Sequence, residues 1–234
     1  MKPLCVIPAR AGSKRLPAKN TAPLGGKPLL AWTVEAARES GIFDRIYVST
    51  EDEDIAGLAR DLGADATIRR PAALAGDEVT NAQVSLHLFD ALAATGRQYD
   101  AIVCLQPSSP LRNGADIRNA WEVFMHGRPD FVVSATPIDP HYCHWALRRG
   151  ENGQCAMVFG DRFMMVRQKL PEFYRPNGAI KIARVDALRG QGNFFGPSLD
   201  LSLMDDARSV HVAVAADLSL CEFYLQCRTA IHST

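Results

Sequence analysis

The chain has 234 residues, of which 47% are hydrophobic, and 26 basic side chains balance 26 acidic ones. That length suits one α/β domain with a substantial core, and zero net charge argues against a nucleic-acid partner held by general electrostatics. No apolar stretch approaches the roughly 20 residues that span a bilayer, no signal peptide precedes the first strand, and Cys5, Cys104, Cys143, Cys155, Cys221 and Cys227 form no CxxC pair, so a cytoplasmic protein with free thiols is expected.

Leu4-Cys5-Val6-Ile7 is a continuous apolar run of the kind that forms a buried strand, and Pro8 ends it. The loop that follows sets Arg10, Lys14, Arg15 and Lys19 around Gly12, Ser13 and Pro17. Four cations and several backbone N–H groups at a strand's carboxyl end suit a polyphosphate. The loop contains neither GxxxxGK[ST] nor GxGxxG, so neither a P-loop ATPase nor a dinucleotide-binding Rossmann site is indicated.

Helical spacing of Leu29, Leu30, Trp32 and Val34 predicts a helix over Pro28–Ser40. Arg45–Ser49 reads as a strand, Glu53–Leu62 as a helix stopped by Gly63, and Ala66–Ile68 as a short strand. Val84, Leu88 and Leu92 mark an amphipathic helix over Thr80–Ala94. Ala101–Leu105 reads as a strand buried on both faces, Asn113–Met125 as a helix and Phe131–Ala135 as a strand. Alternation of this kind predicts an α/β fold with an open, mainly parallel sheet and helices on both faces.

The second half is less regular. It carries strand-like pieces between His141 and Phe159, a loop over Leu170–Asn177, strands over Gly178–Ala183 and Arg208–Val214, and a helix over Ala216–Thr229. No repeat or linker divides the chain, so a single domain over 1–234 is expected, with a candidate dimerisation arm within 138–171.

In such sheets ligands bind beyond the strands' carboxyl ends, which selects the loops after Ile7, Ser49, Ile68, Leu105 and the strand at Ile182. The stretch CLQPSSPLR, Cys104 to Arg112, offers Gln106, Ser108 and Ser109 as uncharged groups able to orient a hydroxyl-rich substrate. No GxSxG elbow surrounds either serine, so a serine nucleophile is not indicated. In EFYRPNGAI, Glu172 to Ile180, Arg175 is suited to hold a carboxylate by two parallel hydrogen bonds, and Asn177-Gly178 marks a turn.

Together IPARAGSKRLPAKN, LQPSSPLR and YRPNGAI resemble the acylneuraminate cytidylyltransferases, the CMP-sialic acid synthetases and their relatives. The likeness runs from about residue 3 to the C-terminal helix and includes DRIYVSTEDEDIA, RRPAALAGD and FFGP. The resemblance implies a Rossmann-like nucleotidyltransferase fold, usually a homodimer, that joins a nine-carbon 2-keto sugar acid to CTP with Mg²⁺. By position it implies triphosphate contacts from Arg10, Gly12, Ser13, Lys14, Lys19 and Asn20, and Arg70 near the cytosine and ribose. Gln106 and Ser108 would meet the acceptor, with Arg10, Lys19 and Gln106 the catalytic candidates. Arg175 and Asn177 would face the acceptor's carboxylate and acyl group, and Phe194 and Phe195 its pocket.

The chain departs from that family at the metal site, a DID motif followed four residues later by another aspartate. Here His211 and Ala213 stand at the first two positions and only Asp217 matches the third. Lys181 also replaces an aromatic residue after NGAI, and Asp205 and Asp206 are the nearby carboxylates able to substitute. Two other readings therefore stay open. One is a nucleotide- or sugar-acid-binding protein that has lost transfer; the other is a cytidylyltransferase for an eight-carbon 3-deoxy sugar acid.

Overall fold

Strand β1, Pro3–Pro8, is enclosed on both faces: Leu4, Cys5, Val6 and Ile7 are fully buried, as an unbroken apolar run requires. In the computed structural model, which describes residues 1–231 and side chains through Cys227, the chain then runs through a two-residue hairpin, β2 (Pro23–Leu24) and β3 (Lys27–Pro28), into α1, Leu29–Ser40. Next come β4 (Ile46–Ser49), α2 (Glu53–Asp61), α3 (Asn81–Ala93), β5 (Ala101–Leu105) and α4 (Gly114–Gly127). These agree with the sequence periodicity to within a residue or two. Side-chain caps set the starts: Asp52 accepts from the Ile55 N–H at 2.9 Å, and Thr80 with Gln83 and Asn113 with Asp116 form capping boxes.

β6 (Phe131–Ile138) leads into an arm made of α5 (Pro140–His144), a hairpin of β7 (Leu147–Arg149) and β8 (Cys155–Met157), and two 3-10 turns. The arm's own small core is His144, packed between Phe159 and Phe173. The chain returns through β9 (Phe173–Arg184), α6 (Val185–Gln191), β10 (Leu199–Leu203) and α7 (Ala215–Ile231).

The six-stranded sheet has the order β10-β6-β9-β5-β1-β4. β1 runs parallel to β4 and β5, and β6 parallel to β10, while β9 runs against its neighbours β5 and β6. α1, α2 and α4 cover one face with Leu30, Val34, Ile117 and Phe124; α3 and α6 cover the other with Leu88, Leu92 and Leu188. α1 and α4 lie so close that a Cβ on Gly114 would fall 2.8 Å from Glu39 backbone. No described helix is long and apolar enough to cross a membrane.

Four expectations change. Ala66–Ile68 is not a strand; only a single bridge joins Tyr47 to Asp65. Phe173–Asn177 is strand, not loop, because β9 extends past the end of β5 and keeps pairing with β6. Arg208–Val214 forms a 3-10 turn and an extended segment without a ladder partner, and the sixth strand is Leu199–Leu203 instead. Because β9 is antiparallel, its beginning rather than the loop after Ile182 lies with the carboxyl ends of β1 and β5.

Candidate functional site

The loop after β1 is pinned from below. Asn20 is buried, and its Nδ2 donates to the Arg10 carbonyl at 2.8 Å; the Ala11 N–H donates to Glu51 Oε1 at 2.9 Å. Ala18 takes a left-handed conformation (φ 51°) to turn the chain into the 3-10 helix Lys19–Thr21. Arg10, Ser13, Lys19 and Asn20 thereby face a cleft of about 230 Å³, with Arg70 on a second wall and Gln106 and Ser108 on a third.

Each wall has its own anchor. The Arg70 guanidinium is buried on the carboxyl end of β4, where it donates to the Ser49 hydroxyl (3.2 Å) and carbonyl. Burial lowers its pKa, opposed by Glu51. The Lys19 ammonium is half-buried, and burial followed by the neighbouring Arg15 and Arg10 cations lowers its pKa. A polyanion in the cleft would reverse that cationic repulsion, so the loop gains most from a highly charged ligand.

Arg10 and Lys14 already hold a carboxylate. Arg10 Nη2 lies 2.9 Å and Lys14 Nζ 2.5 Å from Asp77, whose pKa these contacts, Lys14 first, lower; Arg10 Nη1 also donates to the Ala75 carbonyl at 3.1 Å. Asp77, which lines the cleft, occupies the cations as a phosphate oxygen would. Asp77→Asn should therefore tighten nucleotide binding by about two- to fivefold, the small effect expected of an exposed ion pair. Calorimetric titration with CTP checks this; weaker binding by the variant would make Asp77 a ligand-holding residue.

On the third wall a residue not singled out in the sequence does the positioning. Arg112 is fully buried and donates to the Gln106 carbonyl (3.2 Å) and the Ala179 carbonyl (3.0 Å), fastening the end of β5 to the start of β9. Its only signal was its place in LQPSSPLR. Gly178, at φ 75°, lets β9 pass the Gln106 side chain, since a Cβ there would lie 2.9 Å from Gln106 Oε1.

Other expected contacts fall outside the cleft. Gly12 is exposed with open space around it, and Arg175 is exposed at the root of the arm. Asn177 is spent inside the protein: its Oδ1 accepts from the Ser134 hydroxyl (2.5 Å) and the Ala179 N–H (3.0 Å), and its Nδ2 donates to Ser209 Oγ (2.9 Å). Phe194 is a core residue against α3 and α6, whereas Phe195 is exposed.

The expected metal donors do not fit a hard dication. Asp217 Oδ2 accepts from the N–H groups of Ala213 (2.7 Å) and Val214 (2.9 Å) at the start of α7. Asp205 is tied to Arg208, and Asp206 accepts from the Thr136 hydroxyl at 2.7 Å, so neither carboxylate substitutes. No cluster of three His, Cys, Asp or Glu able to hold a metal occurs among the described residues.

His211 instead abuts the third wall, with Nδ1 3.4 Å from Ser108 Oγ and the next N–H, of Val212, donating to the Ser108 carbonyl at 2.7 Å. Burial, then the Lys19, Lys181 and Arg15 cations, push its pKa from 6.5 down to about 4, so the ring is neutral at pH 7. Between those two values the unfolded chain takes up a proton that the folded chain refuses. Stability is therefore intact above about pH 6.5 and falls by of order 2 kcal/mol as pH drops to about 4, allowing for the ring's partial exposure. His211→Asn should flatten this part of a plot of urea midpoint against pH; an unchanged slope would place the titration elsewhere.

A cation-lined cleft at the carboxyl ends of a mixed, mostly parallel sheet, without a Walker or dinucleotide loop, is the kind of site a nucleotidyltransferase needs. The family model described as "Cytidylyltransferase" matches residues 4–141, and the chain belongs to that family. It is 33% identical over 197 residues to a pseudaminic acid cytidylyltransferase of Campylobacter jejuni, covering 84% of each chain. It is 34% identical over 226 residues to a CMP-N,N'-diacetyllegionaminic acid synthase of Legionella pneumophila, covering 95% of each. Among solved structures, a CMP:2-keto-3-deoxy-manno-octonic acid synthetase complexed with CTP superposes with a TM-score of 0.73 at 15% identity, over 97% of this chain and 100% of that one, a likeness of fold.

Proposed function

We propose that the chain transfers CMP from CTP to a nine-carbon 2-keto sugar acid, an N-acylneuraminate or a related nonulosonate such as legionaminate or pseudaminate, and releases pyrophosphate. The observation that carries this reading is the convergence of Arg10, Lys19, Gln106 and Ser108 on one cleft. Relatives named for pseudaminic and diacetyllegionaminic acid support the choice of acceptor.

In this reading the acceptor's anomeric hydroxyl attacks the α-phosphorus in line. A P–O bond forms, the bond to the β-phosphate oxygen breaks, and the hydroxyl proton passes to water. Such a transfer needs positioning and charge compensation more than covalent chemistry by the protein. Arg10 and Lys19 offset charge on the triphosphate and on departing pyrophosphate, with Ser13, Lys14 and Asn20 shaping their loop. Arg70 faces the nucleoside, and Gln106 and Ser108 orient the acceptor.

Pyrophosphate release from CTP, assayed with a panel of nine-carbon acids, the eight-carbon acid, and with or without Mg²⁺, tests the reading. Release with a nine-carbon acid is expected. Release with only the eight-carbon acid would change the acceptor, and CTP binding without release would make the chain a binding protein.

The proposal includes a cytoplasmic homodimer joined through the arm, whose Tyr142 and Met164 are 84% and 68% exposed. Light scattering should give twice the chain mass for wild type and the chain mass for Met164→Glu. A monomeric wild type would remove the arm from assembly.

A further inference from the structure

The position expected to hold a metal carries no set of donors for one, and it is crowded with cations instead. Ala213 offers no side-chain donor, and the Asp217 carboxylate is engaged by two backbone amides. Lys19 Nζ lies 3.4 Å from the Val212 carbonyl, beside His211, and Lys19, Lys181 and Arg15 all repel a positive charge on that ring. Mg²⁺ binds through carboxylate, phosphate and water oxygens, and a dication placed here would meet three like charges against a single carboxylate, Asp217, whose Oδ2 already accepts two N–H groups.

Lys181 is the cation whose origin is distinct. It stands on β9 opposite Cys104 of β5, two residues before Gln106, so it shares Gln106's side of the sheet. Its Nζ lies 6.0 Å from the Phe194 ring, and Lys181 forms no ion pair among the described residues. The triphosphate cations come from the loop after β1; Lys181 comes instead from β9, close enough to His211 to repel a charge on its ring, and His211 abuts Ser108 on the cleft's third wall.

We propose that this chain holds no divalent ion of its own between α7 and the loop after β5, and that the Lys181 ammonium takes over that charge by contacting the acceptor's carboxylate beside the transferred phosphate. The assignment of the acceptor rests on the CMP-transfer reading above. Any Mg²⁺ present then belongs to CTP, held by phosphate oxygens and water.

Two measurements on the full chain test this. Mn²⁺ titration followed by electron paramagnetic resonance, without nucleotide, should show no saturable site with Kd below about 1 mM, the weak end of carboxylate-type cation sites. Lys181→Met should raise KM for the sugar acid roughly 10- to 100-fold, the loss of one charge-assisted contact, while CTP affinity by calorimetry stays within about threefold. Lys181→Arg should recover most of that loss, and melting curves of both variants check folding.

A saturable Mn²⁺ site abolished by His211→Ala would overturn the first half. An unchanged acid KM in Lys181→Met, or a loss confined to CTP affinity, would overturn the second. A wild type that releases no pyrophosphate with any acid sinks the transfer reading instead; calorimetric binding of the acid to wild type and Lys181→Met then still decides the role of the lysine, with equal affinities refuting it.

Discussion

Replacing Arg10 by alanine is expected to lower kcat/KM for CTP by about 10²- to 10³-fold, the usual consequence of removing one preorganised donor from a site of charge transfer. Three features set the size. The guanidinium carries two donors fixed in a fork, presently spread over the Ala75 carbonyl and Asp77. It lines the same cleft as Lys19, so the pair acts on one ligand. Its backbone is held independently, because Asn20 grips the Arg10 carbonyl rather than its side chain, and the loop should keep its shape in the variant. Lys14→Ala is the contrasting control: its side chain is 83% exposed, and a loss below about tenfold is expected from an exposed pair. The measurement is steady-state pyrophosphate release with both substrates varied. Equal losses in the two variants would mean that bulk charge, not the placed fork, attracts the nucleotide.

Much of this site was legible because its residues are contiguous. Arg10, Ser13, Lys19 and Asn20 fall within eleven positions, and Gln106 and Ser108 closely follow a five-residue apolar run that reads as a buried strand. The helices announced themselves through caps at Asp52, Thr80 and Asn113, local signals that need no tertiary partner. What failed depended on distant neighbours. Pro176 and Gly178 made Phe173–Asn177 look like loop, yet a strand that has outrun one neighbour tolerates proline; Ala135 of β6 still pairs with Pro176 across a register shift. Val210, Val212 and Val214 alternate like a strand, but that segment spends its backbone on Ser108, Lys19 and Asp217 rather than on a ladder.

Asp77 and Asn177 show the same limit at the level of chemistry. Asp77 lies sixty-seven positions from Arg10, and nothing in the sequence reveals that it occupies the cation pair. Asn177 has the residue type of a ligand contact, and only the fold shows its amide consumed by Ser134, Ala179 and Ser209.

Arg112→Met is expected to separate stability from turnover. Burial lowers the guanidinium's pKa from 12.5 to about 10, so its charge costs the folded state roughly 3 kcal/mol. Its Nε and Nη2 find no partner within the protein, and Asp116, the nearest compensating carboxylate, is bound by Arg208. Methionine keeps most of the side-chain volume and removes that cost. It also leaves the Gln106 and Ala179 carbonyls without donors, at about 1–3 kcal/mol each. The losses of about 2–6 kcal/mol are offset by the roughly 3 kcal/mol removed, and the melting temperature should fall by no more than roughly ten degrees. Turnover should not be spared. Without the clamp, Gln106 and the start of β9 lose their common anchor, and a displacement of about 1 Å in a positioning group costs on the order of 10²-fold in rate. The loss should fall on kcat with little change in CTP affinity, since Arg112 does not line the triphosphate loop. Melting curves and steady-state kinetics on the same preparation decide the matter. A variant that melts far below wild type would make Arg112 a stability element, and one with unchanged kcat would show that Gln106 holds its place without it.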